Sequence, residues 1–372
     1  MGALLRTHFR LLLAGVLTFL CMGVGLAIYG PALPAFSRQM DLSLSNVSWL
    51  VSTHWVGNAF GVVLSYLIGA KITPRMGLSA LAIGSAMIAM PFTPLQPFAG
   101  AFVFGAGYGL STVIFNPRVL KAFQTYGTAM LSFLNACFGL GAIAAPLIFL
   151  ALGSDPGLAF GGIAIAAAAL WVLGGHSDAP TQAAETAVVQ DQTFRPRFGL
   201  LGLNVAGIGL EASLVGLGPA ALIQLGVTEA SAAQLLSGFF VVFLGGRIGV
   251  MLIAHLIPPF TMYLLSALAA CLACIGAAFV HPGVFFVAAG LPAGLFFPSF
   301  FVSATREMGD HPRVAPLIVA SSCVGGILVP MALSNLLPDL QGQAFFALLA
   351  GLAGTAALAG LFARSRIASL RA

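Results

Sequence analysis

The sequence predicts an all-α membrane protein, with twelve transmembrane helices in two pseudo-symmetric six-helix halves. Three observations predict it. First, of 372 residues only 15 are Lys or Arg and 10 are Asp or Glu, so 7% are charged, against roughly 25% in an ordinary soluble domain. Second, apolar residues make up 59% of the chain and the mean hydropathy is +1.04. The apolar runs are long and continuous rather than alternating, which makes the spans helices and not barrel strands. Third, short motifs recur at one constant offset close to half the chain length. This composition excludes a cytosolic enzyme, a nucleic-acid binder and a disordered chain. The 45 glycines and 21 prolines fit it, because both residues are commoner in membrane helices than in soluble ones.

A crossing takes about 20 mostly apolar residues. Breaking the runs at charges and at Gly/Pro clusters gives spans over 11–36, 47–70, 77–93, 98–120, 128–151 and 158–174. A second set covers 199–224, 231–256, 259–280, 283–305, 314–337 and 343–363. The first run follows Arg6 and Arg10 as a signal peptide would, but it is too long for an h-region and no cleavage site follows it. The polar stretch 175–198 has no apolar periodicity and reads as a cytoplasmic linker between an N-terminal half, 1–174, and a C-terminal half, 199–372.

Basic residues orient the spans. With the N-terminus inside, Arg6, Arg10, Lys71, Arg75, Arg118, Lys121, Arg195, Arg197, Arg306, Arg313, Arg364, Arg366 and Arg371 all fall on the cytoplasmic side. Arg38 alone falls outside, and Arg247 falls within a span. This asymmetry places both termini in the cytoplasm and the chain in a cell (inner) membrane. All five cysteines lie in apolar runs; Cys271 and Cys274 have CxxC spacing but no partner pair, so packing is the expected role.

The halves match at an offset of 184 residues. Gly23-Val24-Gly25-Leu26 corresponds to Gly207-Ile208-Gly209-Leu210, Gly141-x-Ile143-x-x-Pro146 to Gly325-x-Ile327-x-x-Pro330, and Gly61 to Gly245. Two related halves of this kind put a solute path at their interface, near the bilayer midplane.

Several motifs together resemble the major facilitator superfamily and, within it, the fucose–galactose–gluconate proton symporter-like branch. They are Gly105-x-Gly107-x-Gly109 with Asn116-Pro117, Phe138-Gly139-Leu140-Gly141-Ala142 with Pro146, and Gly246-Arg247. Gly294-Leu295-Phe296-Phe297-Pro298 and Gly325-Gly326 with Pro330 complete the set. The resemblance runs over nearly the whole chain. It implies the major facilitator fold and a secondary transporter, a protein that moves a solute by rocking two halves about a central site. Two departures stand out. The superfamily's loop between spans 2 and 3 usually reads G-x-x-x-D-R-x-G, whereas Ala70-Lys71-Ile72-Thr73-Pro74-Arg75-Met76-Gly77 keeps Arg75 and Gly77 and has Pro74 where the Asp would stand. Sugar symporters of the branch carry a proton-binding Glu four residues before the Asn-Pro of span 4, and that position here is Thr112.

Glu211 is the only acid inside a span. It lies 13 residues past Phe198, about 20 Å along a helix, where a carboxylate costs several kcal/mol unless it is protonated or paired. It is therefore a candidate for proton or solute-charge coupling; the other reading is a structural acid that hydrogen-bonds a neighbouring helix. Arg247 lies in the adjoining span at a depth that would allow an ion pair with Glu211. The alternatives are a pair formed in one transport state only, an arginine that binds an anionic solute, or one that snorkels to the cytoplasmic face.

Further polar residues fall on spans expected to line a cavity. They are Tyr29, His54, Trp55, Asn58, Thr112, Asn116 and Asn135 in the first half and Asn204, Gln234, Ser321 and Ser322 in the second. His54 and Asn58 are four apart and so share a helix face, and Tyr29 precedes Gly30-Pro31, where a helix break would expose backbone. Interhelical hydrogen bonding is the competing role for each of these residues. Arg75, Arg118, Arg306, Glu307 and Asp310 are candidates for a cytoplasmic gate, or else plain interface charges.

The expected function is proton-coupled transport of a small polar or anionic organic solute by alternating access, by a monomer in the lipid bilayer, with no cofactor, no metal and no nucleic-acid partner. Nothing matches a nucleotide-binding loop, so ATP is not the expected energy source. The alternative is a proton-driven efflux antiporter for amphipathic compounds, since Gly141-x-x-x-Ala145-Pro146 is close to an antiporter pattern. A membrane-embedded transferase would need paired acids, or His with an acid, near the interface, and a receptor would add a soluble signalling domain; neither is expected.

Overall fold

The computed structural model describes residues 2–68, 72–174, 196–253, 256–309, 313–337 and 341–369. Among these, all regular structure is helical. The N-terminal helices are α1 (Gly2–Met40), α2 (Trp49–Ile68), α3 (Pro74–Ala89), α4 (Gln96–Ala122), α5 (Gly127–Ala151) and α6 (Pro156–Gly174). The C-terminal ones are α7 (Phe198–Gly216), α8 (Glu229–Ile253), α9 (Pro259–Phe279), α10 (Gly290–Met308), α11 (Val314–Leu336) and α12 (Gly342–Ser369). Each expected span has its helix. Ten helical segments are long and apolar enough to cross a membrane. The other two are α6, with an apolar run of Pro156–Val172, and α3, whose 16 residues span about 24 Å. Proline decides the end of α3: it stops at Ala89 rather than at the expected residue 93, because Pro91 disfavours helical geometry at Met90.

Three spans are broken. A one-turn helix, Leu44–Val47, is capped by the Ser43 hydroxyl and precedes α2. Leu217 separates α7 from a continuation over Gly218–Gln224, and Ala289 separates Pro282–Ala288 from α10. The break expected after Tyr29 is absent. α1 runs through Pro31 and Pro34 to Met40, and its one non-helical residue is His8. Each proline removes a single N–H, which a packed membrane helix tolerates.

The chain divides into two units, Met1–Leu42 with Trp49–Ala187, and Ser43–Ser48 with Val188–Ala372. Most of the stretch read as a linker, 175–195, lies outside the described residues. Within each unit the same helix pairs pack: α1 on α5 and α7 on α11, α2 on α4 and α8 on α10, α3 on α6 and α9 on α12.

Glycine makes these approaches possible. A Cβ on Gly141 would collide with the Leu20 carbonyl oxygen of α1, and one on Gly325 with the Val205 carbonyl oxygen of α7. The other repeated motif keeps its glycines but exchanges their partners. Gly23 abuts the α5 backbone at Phe138 and Gly25 the Phe104 ring of α4, whereas Gly207 abuts Phe296 of α10 and Gly209 abuts Val329 and Gly325 of α11. The third match does not carry over to packing. Gly61 is pressed against the Ala106 carbonyl, but Gly245 faces open space and Gly246 packs on Leu291 instead.

Fully buried aromatics fill both cores, among them Tyr29, Phe104 and Phe160 in the first unit and Phe239, Tyr263 and Phe296 in the second. Large apolar side chains such as Leu67, Ile165 and Phe362 are more than two-thirds exposed, as lipid-facing positions require.

Candidate functional site

In the second unit, α7 carries Glu211 and α8 carries Arg247. Glu211 is half-buried as a residue, but its Oε2 atom is enclosed and has no hydrogen-bond partner. Arg247 acts on it electrostatically, yet the ion pair that the sequence allows is not closed in this structure. The Arg247 Nε instead donates to the Gly294 carbonyl of α10 at 2.9 Å, and the guanidinium lies 4.4 Å from the centre of the Phe243 ring. A cation over an aromatic face is stabilised by the ring quadrupole, so Arg247 is held by α10 and by its own helix.

Asn204, Ser321 and Ser322 come together as one cluster joining α7 to α11. The Asn204 Nδ2 donates to Ser321 Oγ and Ser322 Oγ, both at 2.8 Å, and to the Ile318 carbonyl at 3.1 Å. All three residues are buried, and the Asn204 Oδ1 has no partner. Interhelical side-chain bonds of this kind are worth about 0.6 kcal/mol on average and at most about 1.7. Asn204→Leu is therefore expected to destabilise the protein by about 1 kcal/mol, read as a lower melting temperature in detergent. Gln234 is exposed and does not join the cluster.

In the first unit an aromatic group surrounds His54. Its ring centre lies 5.4 Å from those of Tyr29 and Tyr108, 5.6 Å from Phe104 and 6.3 Å from Trp55. The Tyr29 hydroxyl and the His54 Nδ1 are both buried without a hydrogen-bond partner. Asn58, one turn on from His54, packs against Gly109 of α4. Phe104, Tyr108, Thr112 and Asn116 follow one another at helical spacing along α4; the Thr112 hydroxyl donates to the Tyr108 carbonyl at 3.0 Å, and the Asn116 Oδ1 is buried and unpartnered. Tyr108 was not singled out in the sequence, although its four-residue spacing from Thr112 is the signal that finds it. Asn135 is exposed and donates to the Leu131 carbonyl of its own helix at 2.9 Å, so it stands apart from this group.

The gate candidates hold separate positions inside their own units. The Arg75 guanidinium lies 4.7 Å over the Trp171 ring of α6, and Arg118 donates to the Ile72 carbonyl at 3.2 Å. Glu307 faces Arg197 at 3.9 Å, a pairing that the sequence did not suggest. Arg306 is exposed, and Asp310 lies outside the described residues. Among the described residues no three His, Cys, Asp or Glu side chains group closely enough to hold a metal ion.

Two helical units with matching internal packing, built from helices apolar enough to cross a membrane and with polar side chains buried between them, fit a membrane transporter. Comparison with known proteins makes the class specific. Residues 15–330 match the family model described as Major Facilitator Superfamily, and the chain belongs to that family. The fold is that of solved transporter structures. It matches the nucleoside transporter NupG with a TM-score of 0.73 at 15% identity, covering 95% of this chain and 98% of that one. It matches a D-xylose–proton symporter with a TM-score of 0.75 at 15% identity, covering 95% and 97%. Among curated proteins, 123 residues are 32% identical to a gentisate transporter of Corynebacterium glutamicum, covering 30% of this chain and 27% of that protein. A stretch of 147 residues is 28% identical to sodium-dependent glucose transporter 1A of Mus musculus, covering 37% of this chain and 34% of that protein. The matched segments thus span about a third or less of these curated relatives. The chain is thus a member of a transporter family.

Proposed function

We propose that this transporter moves a small polar or anionic organic solute by alternating access, coupled to protons through Glu211. The enclosed, unpartnered Oε2 atom of Glu211 carries this reading. A structural acid at this depth would engage a hydrogen-bond donor on a neighbouring helix, and among the described residues the Glu211 Oε2 engages none. A carboxyl left so must exchange a proton to avoid the cost of an isolated buried charge. The solute class rests on buried polar atoms left without hydrogen-bond partners, the Tyr29 hydroxyl, His54 Nδ1, Asn116 Oδ1 and Asn204 Oδ1, and on Arg247, the cation that the sequence places within a span. The gentisate transporter supports an organic acid as the first solute to test. Both termini are taken as cytoplasmic and the membrane as the cell (inner) membrane on the basic-residue asymmetry. The stretch 175–198 is taken as the linker between the halves.

The test is uptake into proteoliposomes, with gentisate, other organic acids and sugars as the panel. An imposed inward proton gradient is expected to drive accumulation of at least one of them, and a protonophore to abolish it. Equal uptake with and without the gradient would remove the coupling. Gradient-driven expulsion of solute would favour the antiporter reading.

A further inference from the structure

In an α-helix each carbonyl accepts from the N–H four residues on. For Gly294 that residue is Pro298, which has no N–H. The sequence of α10 therefore leaves the Gly294 carbonyl without its helical donor in the middle of a membrane span. Arg247 supplies one, through Nε at 2.9 Å. The surroundings favour this bond: a Cβ on Gly294 would meet the Phe243 carbonyl oxygen at 2.6 Å and one on Gly246 would meet Leu291 at 2.7 Å, so α8 and α10 touch at glycine on both sides. Glu211, with no hydrogen-bond partner of its own, is within the field of the same guanidinium.

We propose that Arg247 is a movable clamp on the proline bend of α10: its guanidinium holds the Gly294 carbonyl while Glu211 is protonated and passes to the Glu211 carboxylate when the proton leaves for the solute path. This rests on the reading of Glu211 as the coupling group. Moving the guanidinium to the carboxylate withdraws Nε from the Gly294 carbonyl, so the packing of α10 against α8 depends on the charge of α7. The titratable groups of the neighbouring helices are few among the described residues. The acids of α8 and α10, Glu229 and Glu307, stand at the helix ends. α9 and α11 bring Tyr263, Cys271, Cys274 and Cys323, and the Tyr263 hydroxyl already donates to the Leu203 carbonyl at 2.5 Å. Arg247 is thus a positioning residue, acting through α10.

The proline provides the test. Pro298→Ala restores the N–H and lets the helix satisfy Gly294 itself. Arg247→Met keeps the apolar stem and removes the donor, and is expected to slow solute exchange at fixed pH by about tenfold. Pro298→Ala in the same chain is expected to recover most of that loss. In Pro298→Ala alone the Gly294 carbonyl no longer competes with the carboxylate for the guanidinium, so the pH profile of uptake should move to lower pH by about half a unit or more. That shift should vanish when Arg247→Met is added. An Arg247→Met/Pro298→Ala protein as slow as Arg247→Met would overturn the clamp, because an arginine that binds solute directly gains nothing from a repaired helix. A Pro298→Ala profile that coincides with the wild type would overturn the handover. The exchange assay needs no proton gradient, so its outcome separates failure of the clamp from failure of Glu211 as the coupling group.

Discussion

Glu211→Gln is expected to reduce proton-gradient-driven accumulation to the level of protein-free vesicles while leaving solute exchange between the two sides intact. The two effects part because of what surrounds the side chain. Gln is nearly isosteric with Glu and cannot ionise, so it removes the proton exchange and little else. The Glu211 Oε2 accepts no hydrogen bond, so the substitution breaks no bond at that atom. It also removes the need to neutralise a carboxylate at membrane depth. The folded protein should therefore be as stable as the wild type to within about 1 kcal/mol, and thermal melting in detergent checks this. A marked loss of stability with coupling retained would instead point to a structural acid.

The second large effect is on folding. Gly141→Leu and Gly325→Leu keep α5 and α11 apolar and raise their helical propensity, so neither hydropathy nor propensity gives a reason for either to be harmful. Each would nevertheless drive a side chain into backbone, the Leu20 carbonyl in one unit and the Val205 carbonyl in the other. Backbone within a packed helix cannot turn aside as a side chain can, so the helices must separate and give up the contact between them. We expect each substitution to destabilise its unit by about 3 kcal/mol or more, at the upper end of overpacking effects. The two losses should be alike because the positions are repeats of one another. Gly162→Leu is the control: nothing lies within 4 Å of a Cβ there, and its change should stay within about 0.5 kcal/mol. Melting of the purified variants measures all three.

The architecture was legible in the sequence because membrane spans are written in composition. The twelve apolar runs each became a helix, with their ends shifted where proline decides, as at Ala89 before Pro91. The internal repeat was legible as spacing, and Gly141 and Gly325 do face matching carbonyls. Spacing does not fix a helix's rotation, however, which is why Gly61 packs while Gly245 does not, and why Gly23 and Gly207 meet different partners. Proline was over-read at Pro31 and Pro34, where the helix continues, and under-read at Pro298, whose freed carbonyl takes the arginine expected to meet Glu211. The Asn204, Ser321 and Ser322 cluster joins residues more than a hundred positions apart, which polarity at span depth marked singly and only packing brings together. Tyr108 escaped notice because an aromatic in an apolar run looks like core.

The coupling through Glu211 is tested most directly by proton movement that accompanies the solute. Proteoliposomes holding a pH-sensitive dye, without an imposed gradient, are given a solute that the uptake panel identifies as a substrate. The wild type is predicted to acidify the lumen as solute enters. Glu211→Gln is predicted to exchange labelled solute with no change in luminal pH. Acidification by Glu211→Gln at the wild-type ratio of protons to solute would contradict the account.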